Sequence, residues 1–228
     1  TAKDLDWVIV RENSEGEYGG AGGRVHQGLP EEVGLDISVF TRNGVERIQR
    51  FAFELAKSRP RKKLTLVTKS NAQRHGMVFW DSVFERVKAD YPDVETDKML
   101  VDAMTTRMVL QPESIDTVVA TNLHADVLSD LAAALTGSLG IAPTGNIRPE
   151  GDAPSMFEPI HGSAPDIYGK NIANPIAMIW SGALMLDFLT QGQGAGRAAH
   201  DAIVNAIEEV IKSGPRTPDL GGTASKIG

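Results

Sequence analysis

The sequence predicts an α/β protein with a mostly parallel sheet, flanking helices and one long arm. Three observations support this class. Short Val/Ile/Leu-rich runs alternate with helical periodicity between residues 45 and 136, and a glycine-rich stretch at 16–41 precedes them. The chain has 228 residues, 41% of them hydrophobic, which suffices for one large domain or two small ones. Strands joined by crossover helices become parallel neighbours in a sheet.

The first half of the chain begins with a short buried strand, Trp7-Val-Ile-Val10. Residues 16–41 then combine many glycines with a Val/Ile/Phe-rich run, which predicts a long hairpin or arm. Such an arm cannot bury both faces on its own body and often buries one on a partner. The alternating segments that follow are helices from Val45 and at about 76–90, 102–111 and 123–136, and strands at about 64–68, 94–101 and 116–121.

The second half changes in composition. Residues 137–175 are crowded with Gly, Pro, Asn and Asp, and we interpret them as a long functional loop. Two helices at about 174–190 and 197–213 close the chain. We therefore divide the chain into two lobes, residues 1–138 and 139–228.

Composition excludes several classes of function. The net charge of −7 argues against a general nucleic-acid binder, and we interpret the one dense basic run, Arg59–Lys63, as a solvated turn. No long uncharged apolar run and no signal-peptide pattern occur, so neither membrane insertion nor secretion is expected. The absence of cysteine excludes disulfides, thiolate metal sites and thiol catalysis, and fits a reducing cytoplasm.

The stretch NLHADVLSD carries a candidate metal site. Asp126 and Asp130 are four residues apart, so on a helix both carboxylates reach one cation. The alternative is that they are acids near the start of a surface helix capped by Asn122, where the helix dipole favours them without any ligand. His124 lies about 200° around the helix from Asp126, so we expect it to shape a neighbouring cofactor or dimer surface and not to bind metal.

Three polar residues follow predicted strand ends, where open α/β sheets place ligand-binding groups. Asp102 would complete a hard oxygen site for Mg²⁺ or Mn²⁺, or would cap the next helix. Lys69 is an acid/base group if its pKa is depressed, and a solvated charge otherwise. Asn71 lies two residues further on.

Two residues near the start of the chain also have polar side chains of interest. Arg11 suits a bidentate clamp on a carboxylate, and pairing with Glu12 or Glu15 is the alternative. Tyr18 lies in the glycine-rich arm, where residue type alone favours a packing role.

The loop around residues 158–174 is a candidate nucleotide site. Its small residues let a ligand approach the backbone, and His161 and Asp166 supply polar groups. An acid in such a loop accepts from both ribose hydroxyls of adenosine and repels a 2′-phosphate. The chain has neither a G-x-G-x-x-G nor a Walker A motif, so this site is not of the Rossmann type.

Together these segments resemble the β-decarboxylating dehydrogenases, the family of isopropylmalate, isocitrate, D-malate and tartrate dehydrogenases. The matching stretches are RENSEGEYGG at 11–20, VTKSNAQRHGMVFWD at 67–81, VDAM at 101–104, ATNLHADVLSDL at 120–131 and FEPIHGSAPDIYGKNIANP at 157–175. KSNAQRHGMVFWD and the His-Ala pair before Asp126 resemble the tartrate and decarboxylating D-malate type. The resemblance implies a two-lobed isocitrate/isopropylmalate dehydrogenase-like fold. Residues 1–138 would be the substrate, metal and dimerisation lobe, and 139–228 part of the cofactor lobe.

The resemblance also implies an activity, namely NAD-dependent oxidation at C2 of a D-2-hydroxy diacid, tartrate or D-malate, with or without loss of the β-carboxylate. Asp126 and Asp130 of one subunit, with Asp102 of the partner subunit, would hold Mg²⁺ or Mn²⁺, and K⁺ is a further candidate cation. Lys69 of the partner subunit would take the hydroxyl proton, and Tyr18 would be the general acid.

Substrate and cofactor contacts follow from the same matches. Arg11 would bind a substrate carboxylate, and Asn71 would lie near the nicotinamide. The other residues implied to contact NAD are Glu158, His161, Gly162, Ser163, Ala164, Asp166 and Asn174. Because the site would be shared between subunits, the expected unit is a homodimer, with the arm at about 16–41 in the contact.

Two alternatives remain open at this stage. An isopropylmalate or isocitrate dehydrogenase would have a related sequence, and a non-catalytic regulatory subunit of such an enzyme would share the fold. Relatives carry further sequence before residue 1 and continue into a final helix, so we expect this chain to be a piece of a longer enzyme.

Overall fold

The computed structural model describes residues 5–225. The chain divides into two compact units, Thr1–Leu131 and Ala132–Gly228. The boundary lies within a helix, whereas the predicted one, between residues 138 and 139, lies after it. The roles of the two lobes stay predictions.

The first unit contains a four-stranded sheet in which all neighbours are parallel. This confirms the predicted α/β class. Each predicted strand is present within a residue or two of its expected bounds. In sheet order the strands are β1 (Val8–Arg11), β6 (Thr117–Ala120), β4 (Lys63–Thr68) and β5 (Glu95–Leu100).

The four helices that the apolar spacing predicts are also present; the first follows the arm and the other three each follow a strand of the sheet. They are α1 (Arg42–Ser58), α2 (Gly76–Lys88), α3 (Val101–Leu110) and α4 (Asn122–Thr136). α1 and α2 pack on each other and on β4. Their core is aromatic, because Trp80, Phe53 and Phe84 are fully buried and Phe53 stacks on Tyr91 with ring centroids 4.9 Å apart.

The predicted arm is an antiparallel hairpin of β2 (Gly16–Val25) and β3 (Val33–Val39). Glycine is required at position 22, since a Cβ there would collide with the carbonyl of Leu35. Every residue of β3 is exposed. The arm therefore presents apolar side chains that its own unit leaves uncovered.

The basic run at Arg59–Lys63 is a turn with Pro60, Arg61 and Lys62 exposed, as predicted, but two of its arginines also pair with a buried carboxylate. Asp116, only 1% exposed, accepts from Arg59 Nε at 2.6 Å and lies 3.4 Å from Arg61 Nη2. A buried carboxylate is costly without such partners. The run thus anchors the start of β4 to the residue that precedes β6.

The second unit corrects the prediction of one long loop at 137–175. That segment contains an antiparallel hairpin of β7 (Pro143–Asn146) and β8 (Met156–Pro159). The two predicted helices are present as α5 (Ile176–Leu189) and α6 (Gly194–Ser213). They pack together, with Ile141, Ile176 and Ile207 in their core. Within residues 5–225, no helix is long and apolar enough to cross a membrane.

Candidate active site

Arg11 joins the end of the sheet to the start of α4. It is the last residue of β1, and β1 pairs with β6, whose chain continues into α4. Its Nε and Nη2 donate to Asn122 Oδ1 at 3.0 and 2.7 Å, and its Nη1 donates to Asp126 Oδ1 at 2.5 Å. The alternative that Arg11 pairs with Glu12 or Glu15 is wrong, because Arg11 bonds to Asn122 and Asp126. Glu12 accepts from Ser14 and Arg47 instead, and Glu15 accepts from Thr41.

Tyr18 reaches the same carboxylate from the arm. Its hydroxyl donates to Asp126 Oδ2 at 3.2 Å, and the guanidinium carbon of Arg11 lies 5.8 Å from its ring centroid. The ring is 57% exposed, so it is not the packing residue that its type suggested. The negative charge of Asp126 raises the pKa of Tyr18, which keeps the phenol protonated and able to donate.

Asp126 and Asp130 form the predicted pair on α4. Residues at this spacing lie one above the other, roughly 5–6 Å apart. Asp126 is half-buried and Asp130 is exposed. The Asp130 side chain makes no hydrogen bond or ion pair to any residue that the structure describes. Two carboxylates on one helix face fit Mg²⁺ or Mn²⁺, which prefer hard oxygen ligands and keep part of their water shell.

Lys69 and Asp102 form a second polar pair. β4 and β5 are parallel neighbours with Thr68 beside Leu100, so the residues that follow both strands emerge at one edge. Lys69 Nζ donates to Asp102 Oδ1 at 2.6 Å. This hydrogen bond lowers the pKa of Asp102. Asp102 lies in the first turn of α3 and not at the end of a strand. It is not the helix cap that the sequence offered as an alternative, because Leu100 precedes the helix and no side chain caps it.

The two groups do not converge within one chain. Among the described residues, no set of three or more His, Asp and Glu side chains is placed to hold a metal ion. Asp102 therefore does not join Asp126 and Asp130 in this chain. Asn71 is exposed in the turn after Lys69, whose carbonyl accepts from the amides of Ala72 and Gln73.

His124 is buried, in contrast to the surface role expected for it. Only 6% of it is exposed, and its Nδ1 has no hydrogen-bond partner among the described residues. Burial lowers the pKa of His124, which favours the neutral imidazole. Asn122 is not the helix cap either, because α4 begins at Asn122 itself and the carbonyl of Thr121 accepts from Ala125 N.

The second unit contains a cavity of about 270 Å³ in the predicted nucleotide loop. Three predicted cofactor residues, His161, Ser163 and Ala164, contribute to its wall. Ala164 adopts a left-handed conformation with φ of 46°. The rest of the wall comes from the same predicted loop and comprises Ile167, Tyr168, Gly169, Asn171 and Ala173.

The other predicted cofactor residues surround this loop without lining the cavity. Glu158 lies on β8 and accepts from Asn146 Nδ2 at 3.0 Å. Gly162 offers its carbonyl to His161 Nδ1 at 2.9 Å. Asp166 is exposed in a short 3-10 helix at Pro165–Ile167.

Asn174 is held from two sides. Its Oδ1 accepts from Ile176 N at 2.9 Å, and its Nδ2 donates to Asp219 Oδ2 at 3.0 Å. Ser138 Oγ donates to the same oxygen of Asp219 at 2.5 Å. Partial burial opposes ionisation of Asp219, but the hydrogen bonds from Ser138, Thr217 and Asn174 outweigh it and lower the pKa of Asp219.

Three further polar residues have contacts that the sequence did not predict. Asn122 accepts from Arg11, Glu17 accepts from residues at the start of α4, and Asp219 holds Asn174. Each depends on contacts between positions far apart in the chain. Only Glu17 carries a local signal, since it directly precedes Tyr18.

Comparison with known proteins gives consistent matches. A probable tartrate dehydrogenase/decarboxylase of Agrobacterium vitis is 65% identical over 97% of this chain and 61% of its own length. The D-malate dehydrogenase (decarboxylating) of Escherichia coli is 57% identical over 97% of this chain and 62% of its own length. The tartrate dehydrogenase/decarboxylase of Pseudomonas putida is 55% identical, with 97% and 61% covered. The chain thus spans about three fifths of the length of these relatives.

Among solved structures, the crystal structure of isocitrate dehydrogenase from Methylococcus capsulatus superposes with a TM-score of 0.86 at 43% identity. The match covers 95% of this chain and 62% of that one. The model of the isocitrate/isopropylmalate dehydrogenase family matches residues 1–228. The two-lobed fold expected from the resemblance is confirmed, and the chain belongs to the isocitrate/isopropylmalate dehydrogenase family.

Proposed function

We propose that the intact protein is a metal-dependent NAD oxidoreductase that acts on the C2 hydroxyl of a D-2-hydroxy diacid, tartrate or D-malate. One observation carries this proposal. Arg11, Tyr18 and Asp126 meet at the start of α4. The Arg11 guanidinium and the Tyr18 hydroxyl both donate to the Asp126 carboxylate, the proposed metal ligand, and Arg11 also contacts the Tyr18 ring. The names of the similar proteins support the substrate class.

The residues have complementary chemical roles in this proposal. Mg²⁺ or Mn²⁺, when bound by Asp126, Asp130 and Asp102 of the partner subunit, would supply the positive charge that stabilises negative charge on the substrate oxygen. Lys69 of the partner subunit would take the proton of the C2 hydroxyl, and NAD, when bound, would supply the acceptor for the hydride of C2. Arg11 pairs with a substrate carboxylate.

Tyr18 acts after oxidation. Loss of the β-carboxylate as CO₂ leaves an electron pair on the adjacent carbon, and that carbon needs a proton. The phenol of Tyr18 is exposed, protonated and directed at Asp126. A general acid at this position contributes typically 10²- to 10⁴-fold to the rate.

NAD is the proposed nicotinamide cofactor. The cavity beside His161 and Ser163 would receive its adenosine part, with Asn174 held in place by Asp219. Asp166 is exposed nearby, and its negative charge disfavours the 2′-phosphate of NADP. Purified protein should therefore show a higher kcat/KM with NAD⁺ than with NADP⁺, and the reverse order contradicts this assignment.

A homodimer is the proposed assembly. Val33, Leu35, Ile37 and Val39 of β3 are each 43–59% exposed, and a second copy of the chain is the partner that would cover them. The same dimer would bring Asp102 and Lys69 of the partner subunit to Asp126. A cytoplasmic location and the absence of a nucleic-acid partner remain predictions.

The activity is tested by NAD⁺ reduction with Mn²⁺ and K⁺ present, comparing tartrate, D-malate, isopropylmalate and isocitrate at equal concentrations. Turnover of tartrate or D-malate at the highest kcat/KM supports the proposal. A clear preference for isopropylmalate or isocitrate contradicts the substrate assignment. Binding of NAD⁺ and Mn²⁺ without turnover of any of the four would favour a regulatory subunit instead.

A further inference from the structure

Glu17 bridges the arm and the first turn of α4. Its Oε1 accepts from Thr121 Oγ1 at 2.7 Å, and its Oε2 accepts from Leu123 N at 3.1 Å. The first amides of a helix have no intrahelical acceptor, so this carboxylate satisfies one of them. It also places negative charge where the helix dipole favours it. Both oxygens are engaged, so the carboxylate is fixed in position as well as in orientation.

Tyr18, the next residue, makes few other contacts. Its hydroxyl bonds to Asp126 and its ring centroid lies 5.8 Å from the guanidinium carbon of Arg11, but the residue is 57% exposed, so packing alone does not position it. Gly16, Gly19 and Gly20 lie around it, and Gly16 and Gly20 have positive φ of 96° and 68°. Glycine leaves the backbone conformationally free. The hydroxyl nevertheless reaches Asp126, one turn along the helix that Glu17 grips.

We infer that Glu17 is a positioning residue that fixes the phenol of Tyr18 beside Asp126 by clamping β2 to the start of α4. This inference rests on the proposed role of Tyr18 as general acid. Glu17 itself touches no reacting atom in this account. Its effect on turnover therefore passes through Tyr18, which separates it from a residue that only stabilises the helix.

Glu15 supplies a matched control. Its carboxylate also accepts two hydrogen bonds, from Thr41 N at 2.9 Å and Thr41 Oγ1 at 2.8 Å, but these anchor the arm to α1. Glu17→Gln and Glu15→Gln make the same chemical change two residues apart. Glutamine has one acceptor oxygen, which can keep the bond from Leu123 N, whereas its NH₂ group can contact Thr121 Oγ1 only if that hydroxyl reverses its role and accepts. Glu17→Gln therefore removes the charge and weakens the clamp.

The position of Tyr18 is measured directly by fluorine NMR of the intact protein labelled with fluorotyrosine, with the Tyr18 resonance assigned from Tyr18→Phe. We expect Glu17→Gln to move this resonance in the same direction as Asp126→Asn, and Glu15→Gln to leave it in place. This readout needs no turnover, so it decides the positioning role even if the proposed activity is absent. An unchanged resonance in folded Glu17→Gln overturns the inference.

Kinetics then tests whether the effect passes through Tyr18. With D-malate, NAD⁺ and Mn²⁺, Glu17→Gln should lower kcat about tenfold while KM for D-malate changes less than about twofold. In a Tyr18→Phe background the same substitution should lower kcat less than about twofold, because residues acting as a unit are non-additive. An equal loss in both backgrounds contradicts the inference, whereas lack of turnover in the wild type contradicts only the proposed function.

Discussion

Lys69 Nζ donates a hydrogen bond to Asp102 Oδ1 at 2.6 Å across the ends of β4 and β5. The parallel register that places Thr68 beside Leu100 brings these side chains together. The proposed base and the proposed metal ligand are therefore held side by side where two neighbouring strands end. Within the proposed dimer this pair serves the site of the other subunit.

Replacement of Lys69 with methionine should reduce kcat by about 10²- to 10⁴-fold, because the proton acceptor is lost. The thermal midpoint of unfolding should change little, since the Asp102 side chain is 66% exposed and exposed ion pairs contribute little to stability. Steady-state assays and thermal unfolding check both parts. Lys88→Met, an exposed lysine of α2, is the control, and near-normal turnover of Lys69→Met would exclude Lys69 as the base.

Asp130→Asn should weaken Mn²⁺ binding by on the order of a hundredfold, because loss of a direct ligand should lower the affinity at least as much as loss of an outer-shell partner. The Asp130 side chain makes no hydrogen bond or ion pair to the described residues, so the contacts among Arg11, Tyr18 and Asp126 should stay intact. Titration calorimetry with Mn²⁺ on the intact protein measures the change. Glu85→Gln on α2 should bind Mn²⁺ normally, and an unchanged affinity in Asp130→Asn would remove Asp130 from the ligand set.

Leu35→Asp should shift the protein toward monomers and lower activity with it. The side chain is 59% exposed on β3, and a charge there opposes burial against a second copy. Sedimentation velocity measures the assembly state. Asp36→Asn alters the neighbouring residue, which points to the opposite face of the strand, and should leave the dimer intact. An active monomer of the wild type would contradict the proposed assembly.

Because of Asp219, the free energy of unfolding of the second unit should fall as the pH becomes acidic. Its folded pKa lies below the unfolded value, so its contribution is fully present above the unfolded value of about 3.9 and is lost as pH falls through the folded pKa. Asp219→Asn should therefore lower the free energy of unfolding near neutral pH, and its deficit should shrink below about pH 4. Urea unfolding at several pH values measures this deficit, with Glu209→Gln as control. A deficit that grows on acidification would have the wrong sign.

Much of the first unit was predictable because its apolar residues repeat with a clear period. Trp80, Val83, Phe84 and Val87 share one face of α2, and all four are buried. Residues 64–68 of β4 and all four residues of β6 are buried, as expected for parallel strands covered on both faces. The candidate residues after these strands were therefore placed at the correct edge of the sheet.

The remaining features depend on information that local sequence does not contain. β7 has the sequence Pro-Thr-Gly-Asn, in which only the threonine favours a strand, whereas Pro, Gly and Asn disfavour one. It pairs with β8 along its whole length. The pair of Arg11 and Asp126 joins positions 115 residues apart through the register of β1 and β6. The hydrogen bonds of Glu17 with Thr121 and Leu123 likewise join positions 104 and 106 residues apart.

The measurement that tests the central claim most directly is complementation between two inactive variants. Asp102→Asn and Asp126→Asn should each be inactive alone, because each removes one metal ligand from both sites of the dimer. If the site is shared, a mixed dimer carries both defects in one site and none in the other. Random mixing of equal amounts, by unfolding and refolding together, should then restore about a quarter of wild-type activity. Recovery of that size supports a shared site, and mixed dimers without activity would contradict it.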